Sequence, residues 1–281
     1  MIYRGAIGAI ATTAALLVSL AGASAFDETK YPDLKGQWVR IGNPNWAPAG
    51  APRPPLTAEY QAIFDANRKE MAEGEPGNVP SWYCLPQGMP MMMNMYDPME
   101  IVITPDTTYI LISHIHDNRR IHTDDREWPT DLEPTFKGLS IGKWIDTDAD
   151  GRYDTLEVET RGPFKGPRAY QANGLPLHDD NDTVVKERIY LDKSDRNVLW
   201  DEITTIDKAL SHPWTITKKF TRDPNPRPDW HEEVCAENNP HLQIQNDNYY
   251  IGADGLLMPA RKDQAPPDLK YFRQSGKSGT D

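Results

Sequence analysis

From residue 99 onwards the chain consists of short segments in which apolar and polar residues alternate as in β-strands. Turn-forming clusters such as Pro105-Asp106 and Asp192-Lys193-Ser194-Asp195 separate these segments. The predicted strands span residues 99–104, 107–116, 119–123, 154–160, 183–191, 197–206, 214–221 and 230–236. A sheet of this many strands tends to close, because closure removes its exposed edges. The sequence therefore predicts an all-β fold, an antiparallel meander that closes into a lipocalin-like barrel or a strongly curved sheet.

One α-helix is expected before the sheet. Thr57 is a suitable N-cap, apolar residues recur at helical spacing as far as Met71, and Gly74 follows as a stop signal. A short first strand at 31–40 and a proline-rich run at 44–55 precede the helix, and prolines cannot join a central ladder. We therefore divide the chain into a signal peptide (1–25), an N-terminal strand, proline-rich strap and helix (26–80), an antiparallel β domain (81–265) and a C-terminal tail (266–281).

The first residues have the pattern of an export signal. Arg4 precedes an apolar run that ends near Leu20, and Ala23-Ser24-Ala25 is a small-x-small cleavage site. We therefore expect the signal to be removed and the mature chain to begin near Phe26. No later stretch approaches the length of a transmembrane helix. The sequence predicts a periplasmic or secreted protein without a membrane span.

The net charge limits the classes of partner that this protein can bind, and the cysteine content bears on its redox compartment. The chain carries 42 acidic and 30 basic residues, a balance that argues against nucleic acid and anionic membranes as partners. Its two cysteines are Cys84 and Cys235. In an oxidising compartment such a pair predicts one disulfide bond, which here joins the beginning of the fold to its last strand.

An acidic loop lies between two strand-like segments. From Asp146 to Glu157, acidic residues occupy positions one, three, five, nine and twelve, and Gly151 occupies position six. This is the ligand spacing of the twelve-residue calcium loop. Because the flanking residues alternate like strands, we expect a calcium-type loop within a β-hairpin; the alternative is a solvated acidic turn without an ion. The predicted ligands are Asp146, Asp148, Asp150, Arg152 (through its carbonyl), Asp154 and Glu157.

Two predicted strands each carry one glutamate on an apolar face. Period-two alternation places Glu187 with Val185, Ile189 and Leu191, and Glu202 with Val198, Trp200 and Ile206. In the same way His114 and His116 share a face with two isoleucines. If these faces point inward, a glutamate with a raised pKa and a histidine form a catalytic acid–base pair. The alternative is a structural ion-pair network that includes Arg120 or Arg188.

The same cavity would place further side chains in reach of a small-molecule ligand. Arg120 and His122 share a face after the bend that follows the two histidines, and tryptophan rings often line binding pockets. The predicted ligand-binding residues are Arg120, His122, His178 and Trp200.

Two features raise the question of a transition metal. Six of the nine methionines lie between residues 89 and 99, and clustered thioethers in an exported protein suit copper(I). The alternative is that these flexible side chains pack a loop against the barrel mouth. His114 and His116 are spaced as a metal pair on a strand, with His122 or His178 as a third ligand; alternatively they are histidines on a half-buried strand.

Several short blocks follow one another along the chain: Cys84-Leu85-Pro86-x-Gly88-Met89-Pro90, Arg119-Arg120-Ile121-x-Thr123-Asp124, Gly138-x-Ser140-Ile141-Gly142-x-Trp144, Asp154-Thr155-Leu156-x-Val158, Glu187-Arg188, His212-Pro213-Trp214-Thr215 and Cys235-x-Glu237-Asn238. Together they resemble a family of exported, uncharacterised bacterial proteins, over roughly residues 80–240. The resemblance implies an exported β fold and no particular reaction. It places Arg120, Glu187 and Glu237 in shared blocks, which implies a common site. This chain departs from the family pattern by its Asp-rich loop.

These observations lead to one preferred function and two alternatives. We expect a calcium-stabilised barrel that binds a small apolar or aromatic molecule in its mouth. The first alternative is a cofactor-independent lyase, isomerase or hydrolase that uses the Glu/His pair. The second is a calcium-dependent module that binds a protein or a surface. The sequence has no dinucleotide fingerprint, phosphate loop or Gly-x-Ser-x-Gly elbow, and it leaves the oligomeric state open.

Overall fold

The computed structural model describes residues 26–42, 53–75, 77–94, 96–113, 118–166, 168–171, 173–230, 234–235, 241–244, 247–252, 255–259 and 263–265. Within them, nine strands form a closed barrel and three short strands form a second, small sheet. One α-helix and three short 3-10 segments accompany the strands. The predicted all-β barrel with one helix is confirmed.

The barrel strands are neighbours in chain order. They are β1 (Gln37–Ile41), β2 (Met99–Ile103), β3 (Thr107–Ile112), β4 (Arg119–His122), β5 (Leu139–Ile145), β6 (Thr155–Arg161), β7 (Val184–Leu191), β8 (Val198–Ile206) and β9 (Trp214–Arg222). The small sheet contains β10 (His241–Ile244), β11 (Asp247–Ile251) and β12 (Leu257–Pro259). Helix α1 spans Ala58–Ala72, and the 3-10 segments span Glu28–Lys30, Pro80–Tyr83 and Met91–Asn94.

Strand pairing in the barrel is antiparallel with one exception, the parallel pair β4–β5. The long connection 123–138 allows this exception, because a parallel pair requires the chain to return from one end of the strands to the other. Strand β1 completes the barrel by pairing with both β2 and β9. The acidic loop 146–154 lies at the same end as the turns 104–106 and 192–197, and we call this end the base.

Observed and predicted strands agree to within one residue at each end for β2, β4 and β6 to β9. Strand β3 ends at Ile112, and the rest of the predicted segment includes residues 114–117, which lie outside the described residues. The predicted strand 230–236 is wrong in its described residues, none of which lies in a strand. Alternate prolines at 224, 226 and 228 precede it and cannot donate to a ladder.

Helix α1 begins where its sequence predicts. The Thr57 hydroxyl accepts the Tyr60 N–H at 3.4 Å as an N-cap. Tyr60 is buried, and its hydroxyl lies 3.2 Å from Asp179 Oδ1 and accepts the Asp179 N–H at 3.1 Å. These bonds hold the helix against the connection between β6 and β7. No helix in the described ranges is long and apolar enough to cross a membrane.

The paired cysteines connect the helical region to the small sheet. Cys84 follows the segment Pro80–Tyr83, Cys235 lies between β9 and β10, and their Cα atoms are 5.6 Å apart at disulfide-bonding geometry. The predicted pairing is therefore supported, although Cys235 does not lie in a last strand. The predicted signal peptide (1–25) and tail (266–281) lie outside the described residues, as does much of the proline-rich strap.

The barrel interior is filled by alternate residues of each strand. Strand β7 buries Val185, Glu187, Ile189 and Leu191, the face that the sequence predicts. Met89 and the methionines of the segment Met91–Asn94 are buried in the same hydrophobic core. This agrees with the packing alternative for the methionine-rich segment, while the copper hypothesis stays a prediction.

Candidate functional site

Among the described residues of the barrel strands, four charged side chains are buried: Arg119 of β4, Glu187 of β7, Asp201 of β8 and Lys218 of β9. We call them the interior charged cluster. Burying a charge is costly unless it is paired and hydrogen-bonded. Each member therefore requires either a partner or a chemical role.

Arg119 and Glu187 satisfy each other. Arg119 Nη1 donates to Glu187 Oε1 at 2.8 Å, and Arg119 Nη2 donates to Glu187 Oε2 at 2.5 Å. The two residues thus form a bidentate ion pair, and both side chains are almost completely buried. Arg119 also donates to Ser140 Oγ at 3.1 Å and to Thr160 Oγ1 at 2.8 Å. Glu187 is inward, as predicted, but both its oxygens are engaged by arginine. It is poorly placed to act as a general base.

Asp201 differs from Glu187 in having no such partner. It is fully buried, and neither of its carboxylate oxygens has a hydrogen-bond donor in the described part of the chain. Burial raises its pKa well above the usual range, and the nearby Glu187 carboxylate raises it further; Arg119 and Lys218 act in the opposite direction. Asp201 therefore has the character of a buried neutral acid.

Lys218 is the direct cross-strand neighbour of Asp201. Its side chain is buried on the inner face of β9. Burial lowers the pKa of Lys218 to about 8, the Arg40 guanidinium contributes in the same direction, and Asp201 opposes them. A buried acid and a buried amine of lowered pKa thus face each other across two strands.

The prediction that Glu202 shares the interior with Glu187 is wrong. On β8 the buried residues are Leu199, Asp201, Ile203 and Thr205, so that Glu202 lies on the outer face. There it accepts the Tyr190 hydroxyl at 2.7 Å and pairs with Arg188 at 3.4 Å. The structural ion-pair alternative therefore holds for Glu202. Both faces of β8 carry apolar residues, and this ambiguity caused the error.

The outer face of β5 to β9 carries a groove of about 580 Å³ that Glu202 lines. Several of its charged residues are paired across strands: Arg188 lies 3.5 Å from Glu157, and Lys186 lies 3.5 Å from Glu159. Ion pairs at an open surface contribute little to stability and do not by themselves indicate a ligand.

Arg120 also faces away from the interior. It is exposed and lies over the Tyr109 ring at 5.5 Å, whereas its neighbour Arg119 is buried. The prediction of Arg120 as a cavity residue is therefore wrong by one position. Because the two arginines are adjacent and identical, the sequence does not indicate which of them faces the interior. The strand register pairs Arg119 with the buried Ile110, and this pairing would have identified Arg119 as the inward residue.

The structure describes only some of the remaining predicted site residues. His114 and His116 lie outside the described residues. His122 is half-buried, and burial followed by the Arg126 charge lowers its pKa. His178 stacks on Tyr60 at 5.0 Å, and Trp200 donates its ring N–H to Asp192 Oδ2 at 2.9 Å. The described residues among them do not converge on one cavity.

A second candidate site is a pocket of about 460 Å³ at the base, between the N-terminal segment and β2. We call it the basal pocket. Its lining is mostly apolar and aromatic, with charged groups such as Lys35 and Arg152 also present; the apolar members include Phe26, Tyr31, Leu34, Ile101, Val102 and Ile103. Its size lies in the range of small-molecule sites. Sequence reasoning missed this pocket because its two walls are far apart in the chain.

The wall of the basal pocket is tied to the acidic loop. Tyr31 lies 5.0 Å from the Tyr153 ring and 5.5 Å from the Trp144 ring, both measured between centroids. The Tyr153 N–H donates to the Lys30 carbonyl at 2.7 Å. A change in the loop would therefore move one wall of the pocket.

The acidic loop brings three predicted metal ligands together. Asp146, Asp148 and Asp154 each offer an oxygen, and these oxygens lie within 4.8 Å of one another. Gly151 has a φ of 88°, the left-handed conformation that its position in the loop requires. Asp150 and Glu157 lie outside this group: Asp150 accepts the Arg152 N–H at 2.8 Å, and Glu157 contacts Arg188 on the outer face.

Hydrogen bonds order the carboxylates of this loop. Asp146 accepts the N–H groups of Asp150 at 3.1 Å and Gly151 at 2.8 Å. For Asp154, burial raises the pKa, but hydrogen bonds from Thr147 and Thr155 outweigh it, so the pKa lies below its usual value. The close approach of the Asp146, Asp148 and Asp154 oxygens is compatible with calcium binding. Calcium stays a prediction.

No protein-family model matches this chain, and a search of curated proteins finds no match for it. The resemblance to exported bacterial proteins therefore stays a prediction. The function has to be argued from the two sites themselves, the basal pocket and the interior charged cluster.

Proposed function

We propose that this protein is an exported, calcium-stabilised β-barrel that binds a small apolar or aromatic molecule. The basal pocket carries the proposal, because it combines a suitable volume of about 460 Å³ with aromatic and aliphatic walls. Burial of apolar ligand surface there would supply roughly 25 cal/mol per Å² before the costs of binding. The proposal moves the ligand from the expected barrel mouth to this pocket between the N-terminal segment and β2.

The surroundings of the pocket support this proposal. Lys35 and Glu28 form an ion pair of 3.1 Å at its edge, and Tyr31 is fixed by contacts with two other rings. The walls are thus held in place, which reduces the entropy lost on binding. The disulfide geometry of the cysteine pair supports export to an oxidising compartment.

A charge placed in the pocket wall is expected to weaken binding of a neutral aromatic probe. Val102 lines the pocket and is 43% exposed, so Val102→Glu can be accommodated without burying a charge in the core. We expect 2-naphthol to bind the natural protein in isothermal titration calorimetry, and we expect Val102→Glu to weaken binding at least tenfold, since tenfold corresponds to about 1.4 kcal/mol.

The matched control is Ile206→Glu, because Ile206 is a similar residue, 38% exposed on β8 and absent from the pocket lining. This variant should bind 2-naphthol like the natural protein. Equal affinity in both variants, or no heat of binding with the natural protein, would show that the basal pocket does not bind such molecules.

Removal of calcium is expected to lower the melting temperature. A ligand at a hundred times its Kd stabilises the folded state by about 2.7 kcal/mol, which for a chain of this length corresponds to roughly 5–10 °C in Tm. We expect EGTA to lower the Tm by this amount, and we expect added calcium to restore the Tm. Asp148→Asn should abolish the response, whereas Asp131→Asn, outside the loop, should retain it. A Tm that EGTA does not change would contradict the calcium proposal.

A further inference from the structure

The charged residues that line the basal pocket differ in whether they already have a partner within the protein. These residues are Glu28, Asp33, Lys35 and Arg152. Lys35 Nζ lies 3.1 Å from Glu28 Oε2, and Asp33 Oδ2 lies 3.8 Å from Arg222 Nη2. Three of the four charges are therefore offset by an opposite charge of the protein itself.

Arg152 is the exception. Its backbone N–H donates to Asp150 Oδ1 at 2.8 Å, but among the described residues its guanidinium group forms neither an ion pair nor a hydrogen bond. The side chain is exposed, and a guanidinium group stays charged throughout the pH range of a folded protein. Its planar set of N–H donors matches the two oxygens of a carboxylate. The basal pocket thus has one cation that is available to an anionic ligand.

The acidic side chains of the loop that carries Arg152 do not line the basal pocket. Asp148, Asp150 and Asp154 line a separate pocket of about 310 Å³, which we call the loop pocket. Arg152 lines both pockets. An anion in the basal pocket can therefore contact Arg152 without contacting these three carboxylates.

The remaining lining of the basal pocket determines what the rest of the ligand is like. The rings of Phe26 and Tyr31 lie 5.2 Å apart between centroids, and Ile101 and Ile103 of β2 add aliphatic surface. Aromatic side chains pack well against a further ring at such distances. A ligand that matches both features carries an aromatic ring for these walls and an anionic group for the free guanidinium group.

We propose that the basal pocket binds an aromatic carboxylate, whose ring packs on Phe26 and Tyr31 and whose carboxylate accepts hydrogen bonds from the Arg152 guanidinium group. This inference rests on the proposed function and narrows its ligand class from apolar or aromatic molecules to aromatic acids. Because the pair with Arg152 is accessible to water, it is expected to strengthen binding only about fivefold.

The test compares two probes with the same ring system, 2-naphthol, which is neutral at pH 7, and 2-naphthoate, which is an anion. Isothermal titration calorimetry is carried out on the intact protein at pH 7 and low ionic strength, with calcium present to offset the charge of the loop carboxylates. We expect 2-naphthoate to bind about fivefold more tightly than 2-naphthol. Arg152→Gln should remove this preference by weakening 2-naphthoate alone, and it retains the backbone carbonyl predicted to bind calcium.

Three further variants identify the charge and the pocket. Arg196→Gln removes an arginine that lines the loop pocket and not the basal pocket, and Lys35→Gln removes the cation that is paired with Glu28. Neither should change the preference for 2-naphthoate. Val102→Glu should weaken both probes, because Val102 lines the basal pocket and not the loop pocket. Circular dichroism shows whether each variant is folded.

The outcomes separate this inference from the proposed function. If 2-naphthol binds and 2-naphthoate binds no more tightly, or if the preference persists in folded Arg152→Gln, the assignment of an aromatic acid is overturned and the proposed function stands. The assignment to Arg152 is likewise overturned if Lys35→Gln or Arg196→Gln removes the preference instead. If neither probe binds the natural protein, the proposed function itself fails, and this inference fails with it.

Discussion

Replacing Arg119 with methionine is expected to lower the free energy of unfolding by about 3–5 kcal/mol, the cost of leaving a buried partner charge uncompensated. Arg119 is 1% exposed and donates to both oxygens of Glu187 as well as to Ser140 and Thr160. Methionine has a similar length but no donor, so it removes these bonds and leaves the carboxylate without a cation. Urea denaturation followed by tryptophan fluorescence measures the change.

Arg120→Met is the matched control, because Arg120 is the adjacent arginine and faces solvent. We expect a change below about 0.5 kcal/mol for it. The double variant Arg119→Met/Glu187→Met should be more stable than Arg119→Met alone, since apolar side chains can replace a buried ion pair at small cost. The remaining hydroxyls of Ser140 and Thr160 already bond to each other at 2.8 Å. Equal stability of both single variants would contradict this account of the interior charged cluster.

The strands of the barrel could be predicted because each one carries its own signal. In β7 the alternation of Val185, Glu187 and Ile189 with polar residues gives both the strand and its inner face. The hairpin β5–β6 was recognised from the alternation on both sides of the acidic loop. These are local properties, and local patterns are read directly from the sequence.

The interior charged cluster could not be predicted in full, because its composition depends on register between strands. On β8 the buried face carries Leu199 and Ile203, but the outer face carries Trp200 and Ile206, so apolar content does not separate the faces. A shift of one residue exchanges the two faces, and Asp201 was therefore missed in favour of Glu202. The pairing of β8 with β7 fixes the register of β8. This pairing is a tertiary contact, so it cannot be inferred from the residues of β8 alone.

The basal pocket depends on contacts of still longer range. Its walls come from residues 26–35 and 101–103, with Arg152 from the acidic loop. Only closure of the barrel brings these three parts together, and no single segment has a sequence pattern typical of a pocket. For this reason the ligand-binding residues predicted from the sequence, Arg120, His122, His178 and Trp200, include no residue of the basal pocket.

Removal of the disulfide bond by Cys84→Ser/Cys235→Ser is expected to lower the free energy of unfolding by up to about 5 kcal/mol. The two cysteines are 151 residues apart in sequence, and a cross-link over a loop of this length removes about that much chain entropy from the unfolded state. The bond also holds the small sheet on the helical region. There Tyr83 contacts Asn248 Oδ1 at 3.2 Å, and Tyr250 donates to the Gly74 carbonyl at 2.5 Å.

Local opening should therefore accompany the loss of global stability. In the double variant, hydrogen exchange is expected to increase in β10 to β12 more than in β7 and β8, because the barrel ladder does not depend on the disulfide for its hydrogen bonds. Tyr83→Phe is the control: it removes one hydrogen bond across the same contact, retains both cysteines, and should cost only about 1 kcal/mol. Two free thiols titrated in the native protein, or a double variant as stable as the natural protein, would show that the cysteine pair does not cross-link the fold.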